Sequence, residues 1–286
     1  MNPKRGAPHR YVGAPGTERS IDFGLVAVGE TDFTMGCAVH SFRLTIVIHC
    51  GFNSHMPTDT DEHRLVRSQK LALQRLTEAC PRLRTLCYWA GSAALAIEDL
   101  HHRMSFDLDF HTRKALVNVK PILAEIRQAF PGAFNVIQAP DEFGSGFQGT
   151  LTLPNGDLIT IEVLSNYEDV DDQDLVPSIT ASGILRVSLA RYIADKIQCV
   201  AERAEARDLV DISAVLRIHP EMRDFIRETI QQQDAILMTE RLLGWTDEQI
   251  VEDLAAYDDV NPADAMQAKA LLLTWLKDEA NGGMTE

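Results

Sequence analysis

Asp107 and Asp109 stand with only Leu108 between them, downstream of a Gly91-Ser92 pair, in the stretch YWAGSAALAIEDLHHRMSFDLDF that runs from Tyr88 to Phe110. On an extended strand, residues i and i+2 point to the same face, so the two carboxylates would project side by side. Like charges so placed repel each other unless a cation lies between them. Two hard oxygen ligands on one edge suit Mg²⁺, which keeps several waters and takes further ligands from a substrate phosphate. The Gly-Ser turn opens a helical stretch, and a helix N-terminus favours an anion. A phosphate cradle ahead of paired carboxylates is the minimum equipment for metal-assisted phosphoryl chemistry.

Two further segments carry candidate groups. In Leu158–Leu164 (LITIEVL), Glu162 is the single charge in an apolar, strand-like run. A carboxylate there is costly unless it is paired or metal-bound; the alternative is an exposed strand face. The second segment, LARYIADKIQCVAERAEARDLVDI, spans Leu189 to Ile212. Lys196 and Arg203 are two helical turns apart, so they share one face. Arg207 joins them only if the helix runs on through Ala204–Ala206. A Lys ammonium and an Arg fork on one stripe can neutralise a triphosphate or a departing pyrophosphate. Asp208 reads as orienting a basic side chain or touching nucleotide, and Asp211 as a brace between helices, with Leu209 and Ile212 as core. Alone, this spacing describes a solvated charged face; its place behind the Gly-Ser and Asp-x-Asp unit gives it meaning.

The elements that must hold these groups follow from pattern and punctuation. A helix is expected over 61–79, a strand over 84–89 entering the Gly-Ser turn, a helix over 93–100 and the carboxylate strand over 105–111. Another helix covers 115–129, and 133–164 holds two or three strands with turns at Pro140-Asp141 and Pro154–Asp157. Beyond about 185 the chain reads as helices at 188–203, 206–217, 220–233, 247–257 and 262–279. Strands first and helices after indicate an α+β fold with a helical C-terminal half. Residues 1–55 are glycine-rich and lack a sustained period. They read as a poorly ordered extension, or as upstream sequence included by a mis-assigned start ahead of Met56. Asp59 and Glu62 then resemble a helix-capping pattern. The expected division is 1–55, a core over 56–185 and a helical domain over 186–286.

Composition sets bounds. With 45% hydrophobic and 24% charged residues, the 286-residue chain is an ordinary globular one. Its net charge of −15 argues against broad electrostatic binding to nucleic acid and suits a partner carrying positive charge. The five cysteines form no CxxC or zinc-like spacing, which suggests reduced thiols and a cytoplasmic setting. No apolar run reaches the roughly 20 residues of a membrane span. The adjacent His101 and His102 do not converge on one ion and read as a surface or RNA-facing turn. His111 reads as structural, and Trp89, Trp245 and Trp275 as core.

The Gly91–Ile97 run followed by His102-Arg103-Met104-Ser105-Phe106-Asp107-Leu108-Asp109-Phe110 resembles the signature of DNA-polymerase-β-like nucleotidyltransferases. More closely, it resembles the AbiEii-type toxins of abortive-infection and toxin–antitoxin systems. The segment between its halves is slightly longer than the family pattern, around Asp99–His101. Lys196, Arg203, Arg207, Asp208 and Asp211 resemble the family's second signature. The resemblance, over roughly 60–217, implies a nucleotidyltransferase-like mixed sheet that moves a nucleoside monophosphate from an NTP to an acceptor hydroxyl. It implies Mg²⁺ (or Mn²⁺) held by Asp107 and Asp109, with Glu162 as base or further metal ligand. It places the nucleotide on Gly91, Ser92, Lys196, Arg203 and Arg207, with Asp208 among the catalytic residues. The resemblance also places His102-Arg103 near the nucleotide. It further implies a transfer-RNA 3′ end as acceptor, a role in phage defence and a cognate antitoxin partner. Two alternatives stay open: a small-molecule nucleotidyltransferase acting on an antibiotic or metabolite, and a non-catalytic nucleotide- or antitoxin-binding protein.

Overall fold

A computed structural model describes residues 59–282, apart from 204, 232 and 234. The expectations for residues 1–55 and for a start at Met56 lie outside them. The first helix, α1 (Asp59–Ala79), is followed by α2 (Pro81–Leu86) and the short strand β1 (Cys87–Ala90). Arg84–Leu86, expected in the strand, therefore belong to α2. The cause is tertiary: Pro81 opens the helix, and the Glu125 carboxylate accepts from the Arg82 and Leu83 amides at 3.0–3.1 Å, supplying the cap that local sequence lacks.

From β1 the chain turns directly into α3 (Gly91–Leu95), continues as a π-helical turn (Ala96–Leu100) and exits through His101 in the left-handed region, φ 44°. A π turn closes over one more residue than an α turn, so it takes up the additional length before the carboxylate strand. That strand, β2, spans Asp107–Ala115. It ends at Leu116, whose φ of 54° breaks the extended run, and α4 starts only at Lys120 (Lys120–Ala129), with the Lys120 amide donating to Asn118 Oδ1. Strands β3 (Phe134–Gln138), β4 (Gly146–Thr152) and β5 (Leu158–Asn166) follow as a meander.

Two three-residue strands, β6 (Leu175–Pro177) and β7 (Leu185–Val187), were not legible in the sequence. They complete a seven-stranded mixed sheet of order β3-β4-β5-β2-β1-β7-β6. Glu98, on the π turn, holds this hairpin. Its buried carboxylate accepts from Arg186 Nε at 2.7 Å, Ser178 Oγ at 2.6 Å and the Thr180 amide at 2.9 Å.

The C-terminal half is helical: α5 (Leu189–Glu202), α6 (Ala206–Ile218), α7 (Arg223–Gln231), α8 (Ala235–Gly244), α9 (Asp247–Leu254) and α10 (Pro262–Gly282). Helix α8 was not among the expected elements. Helix α10 packs along α6, α7, α8 and α9, and all three tryptophans are buried as expected. One apolar cluster runs from the sheet into these helices. On β2 and β5, Leu108, Phe110, Ile159, Ile161 and Val163 are wholly buried, and α1 packs against both strands. Their alternate residues form the opposite, half-buried face. Cys80, Cys87 and Cys199 are free thiols. Burial pushes the first two up to about 12 and the third up to about 11, which keeps them protonated and poorly nucleophilic.

Candidate active site

Strand register builds the first half of the site. Asp109 of β2 lies opposite Ala90 of β1 on one side and Glu162 of β5 on the other, and Glu162 lies opposite Gln148 of β4. Paired residues on neighbouring strands share a face and stand about 5 Å apart. Gln148, Glu162, Asp109 and Ala90 therefore form one row. Thr150, Thr160 and Asp107 form the row on one side of it; Leu164, His111 and Tyr88 form the row on the other. Asp107, Asp109 and Glu162 are half-buried on this face. Glu162 is thus beside Asp109 rather than on an open surface. Asp107 Oδ1 accepts from Ser105 Oγ at 3.2 Å.

Gly91 sits over this row with φ +70°. A Cβ built there would lie 2.0 Å from Asp109 Oδ2, so only glycine leaves space for that carboxylate. The Gly-Ser turn and the carboxylate strand are thus in direct contact.

The second half centres on Asp211, fully buried on α6. Arg103 grips it with two bonds, Nε at 2.6 Å and a terminal nitrogen at 3.0 Å. His102 Nε2 lies at 2.7 Å, Lys196 Nζ at 2.9 Å and Ser92 Oγ at 3.2 Å. Arg103 also donates to Ser92 Oγ at 2.6 Å. Lys196 reaches Asp208 at 2.9 Å, and Arg203 pairs with Asp208 at 3.0 and 3.1 Å. Burial opposes the charge on Asp211, but the cations of Arg103 and Lys196 outweigh it and hold the carboxyl well below the usual range. Burial likewise opposes the charge on Lys196, and Asp211 more than restores it, so its ammonium is held above its ordinary pKa. With Arg207 and Glu205 included, four cations (Arg103, Lys196, Arg203 and Arg207) meet three anions (Asp208, Asp211 and Glu205), leaving an excess of one positive charge.

The sequence residues thus fall into two groups joined by the Gly-Ser pair: Gly91 touches Asp109, and Ser92 touches Asp211. Some expectations need correcting. Helix α5 stops at Glu202, and Arg203 is extended, with φ −134° and ψ 156°. Lys196 and Arg203 therefore do not share a helical stripe; they meet because Asp208, on the next helix, draws both. Arg207 lies on α6, bonded to Glu205 at 2.7 Å and to the Tyr257 hydroxyl at 3.2 Å, and joins the cluster through Glu205, 3.4 Å from Arg203. His102 is no surface residue: its side chain is 1% exposed. The sequence reading missed Arg103 as a buried anchor. It also missed Gln148, Thr150 and Thr160, which the polar–apolar alternation of their strands could have flagged.

Among the described residues, no group of three or more His, Cys, Asp or Glu is arranged to hold a metal ion. Mg²⁺ does not require one, because it takes one or two carboxylates and fills its octahedron with waters and substrate phosphates. Asp107 and Asp109, oxygen donors on one face with Glu162 beside them, fit that mode. No described helix is long and apolar enough to cross a membrane.

A mixed sheet that brings paired carboxylates under a Gly-Ser turn, with a third on the parallel neighbour, has the architecture of a nucleotidyltransferase. The chain belongs to the AbiEii family, described as nucleotidyl transferase toxins of type IV toxin–antitoxin systems, whose model matches residues 76–275. It is accordingly a nucleotidyltransferase enzyme. No curated protein matches it. Among solved structures it is similar to JHP933 from Helicobacter pylori, 18% identical over 75% of this chain and 96% of that one, with a TM-score of 0.44. It is also similar to MenT4, a nucleotidyltransferase toxin from Mycobacterium tuberculosis H37Rv, 16% identical over 76% of this chain and 84% of that one, with a TM-score of 0.43. The assignment rests on the family match.

Proposed function

We propose that this chain transfers a nucleoside monophosphate from an NTP to the 3′-terminal hydroxyl of transfer RNA, as the toxin of a cytoplasmic toxin–antitoxin pair. The observation that carries the transfer is the row in which Asp109 stands between the Gly91 turn and Glu162, with Asp107 on the same face. In the reaction, the acceptor oxygen forms a bond to the α-phosphorus and the bond from that phosphorus to the β-phosphate bridging oxygen breaks. Pyrophosphate leaves, and the acceptor proton passes to Glu162. Asp107 and Asp109, with Glu162 near them, would hold Mg²⁺ or Mn²⁺; when bound, such an ion neutralises phosphate charge and lowers the acceptor hydroxyl pKa.

Gly91 and Ser92 place the turn backbone against the phosphates. Lys196 spends two of its three donors on Asp208 and Asp211, and the third, with Arg203, meets the leaving charge. Asp208 fixes both cations. The excess positive charge of this cluster favours an anionic ligand at its edge. The transfer-RNA acceptor, a role in phage defence and the antitoxin are what the family suggests; the acidic chain suits a basic antitoxin.

Purified protein incubated with Mg²⁺, each radiolabelled NTP and total transfer RNA should yield a labelled RNA band. Labelling of a small molecule instead would transfer the reading to an antibiotic- or metabolite-modifying enzyme. NTP binding without any labelling would leave a non-catalytic binding protein. Gly91→Ala provides a sharper test of the turn. A methyl there displaces the Asp109 carboxylate, and misplacing a reacting group by about 1 Å costs about 100-fold. The expected result is a loss of that order in transfer rate in a protein that still melts cooperatively; a rate within a few-fold of wild type would show that Asp109 need not stay where it is.

A further inference from the structure

A cavity of about 580 Å³ opens between α5, α7 and the turn before β6. This volume lies in the range of small-molecule sites. None of the catalytic candidates lines it. Its walls come from Asp174, Arg191, Asp195, Gln198 and Phe225, over a floor that includes Ala190 and Ala194. Burial raises the Tyr88 phenol above its ordinary pKa, and the charges of Asp195, Arg191 and Asp174 also act on it. Tyr88 shares its face of β1 with Ala90, about 7 Å along the strand.

We propose that this cleft is a nucleobase subsite and sets which base the enzyme accepts. The inference rests on the nucleotidyltransferase reading and deepens it. Three features point to a base. First, Phe225 is 37% exposed at the cleft, a flat ring on which a heterocycle can stack. Second, Arg191 is held in a fixed plane, with Nε donating to Asp195 at 2.8 Å and NH1 to Asp174 at 3.3 Å. Its remaining donors, the remaining lone pairs of the two carboxylates and the Gln198 amide oxygen, whose nitrogen donates to Glu202 at 2.7 Å, present the mixed donor–acceptor edge that reads a base. Third, one cation stands between two anions. That local charge repels phosphate and tolerates a neutral ring, so a nucleotide would enter base first and leave its phosphates toward the carboxylate rows.

The test uses the full chain and ligands without phosphate. Adenosine, guanosine, cytidine and uridine are titrated by saturation-transfer NMR into wild type, Phe225→Leu and Arg191→Lys, with melting curves to confirm folding. One nucleoside should bind at least about 10-fold more tightly than the weakest. Phe225→Leu should weaken it by about 10-fold or more, because leucine keeps apolar volume without a π face. Arg191→Lys should flatten the preference, because lysine lacks the planar fork. The four-NTP rate ratios are then measured for the same proteins. Altered NTP ratios assign the donor base to the cleft; unaltered NTP ratios with altered preference among acceptor RNAs of different terminal nucleotide assign the acceptor base. Either supports the subsite. Wild-type transfer whose preferences both variants retain would overturn the subsite and leave the transferase intact. Nucleoside binding lost in the variants, with no transfer by wild type, would support the subsite and retire the transferase. No nucleoside binding, with a polyamine such as spermine binding instead, would overturn the subsite in favour of a cation site.

Discussion

Asp107→Asn combined with Asp109→Asn should lower nucleotide transfer by about 1,000-fold or more while leaving the protein folded. A bound divalent ion is worth several kcal/mol of transition-state stabilisation, and each 1.36 kcal/mol is a factor of ten. Asparagine keeps the shape of the side chain and removes the charge that would hold the ion. The two carboxylates project from one strand on one face, with Glu162 in register with Asp109. Neutralising two of three neighbouring carboxylates relieves like-charge repulsion, so the double variant should still fold and melt cooperatively. Rate and melting temperature measured on the same preparation check both halves. Residual transfer within ten-fold of wild type would remove Asp107 and Asp109 from the mechanism.

Asp211→Asn should produce the opposite pattern, a loss of stability of about 3–5 kcal/mol, because it leaves buried cations without their counter-charge. In wild type that carboxylate faces Arg103, Lys196, His102 and Ser92. The substitution leaves Arg103 without its paired anion, while Lys196 and Arg203 keep Asp208. For a domain of this size, such a loss lowers the melting temperature by roughly 6–20 °C. The pH dependence has a definite sign. The folded-state pKa of Asp211 lies well below its ordinary value of 3.8. Its contribution is therefore full above that value and is lost as the pH falls through the folded one. Melting temperatures of wild type and Asp211→Asn should converge as the pH is lowered from about 5 toward 3. A constant difference across that range would mean that Asp211 stabilises by packing alone.

The two substitutions separate what the sequence could say from what it could not. Asp107, Asp109, Gly91 and Glu162 were legible because their signals are local. A period of two puts both aspartates on one face, a glycine marks a turn, and one charge in an apolar strand requires a partner. The register across strands, which sets Glu162 beside Asp109 and Gln148 beside Glu162, was not implied by that spacing. The second cluster was legible in its residues and not in its geometry. Lys196 and Arg203 looked like neighbours on one helix, yet α5 ends at Glu202 and the two meet on Asp208. Arg103 and His102 looked like a turn, yet they bury against an aspartate on a helix far along the chain.

The elements divide in the same way. Long amphipathic helices and the β3–β5 meander follow from periodicity, because each buries a face of its own. The end of α2, the π turn and the strands β6 and β7 do not. Glu125, from α4, caps the first amides of α2, and Glu98, on the π turn, holds the β6–β7 hairpin through Ser178, the Thr180 amide and Arg186, so these elements depend on partners distant in the chain. By itself the sequence determined which residues can do chemistry and which face of their strand they occupy, since strand and turn rules act over a few residues. Only the tertiary structure decided which charges meet. Burying a cation is tolerated only where a distant anion comes to it, and that pairing is set by how the helices pack on the sheet.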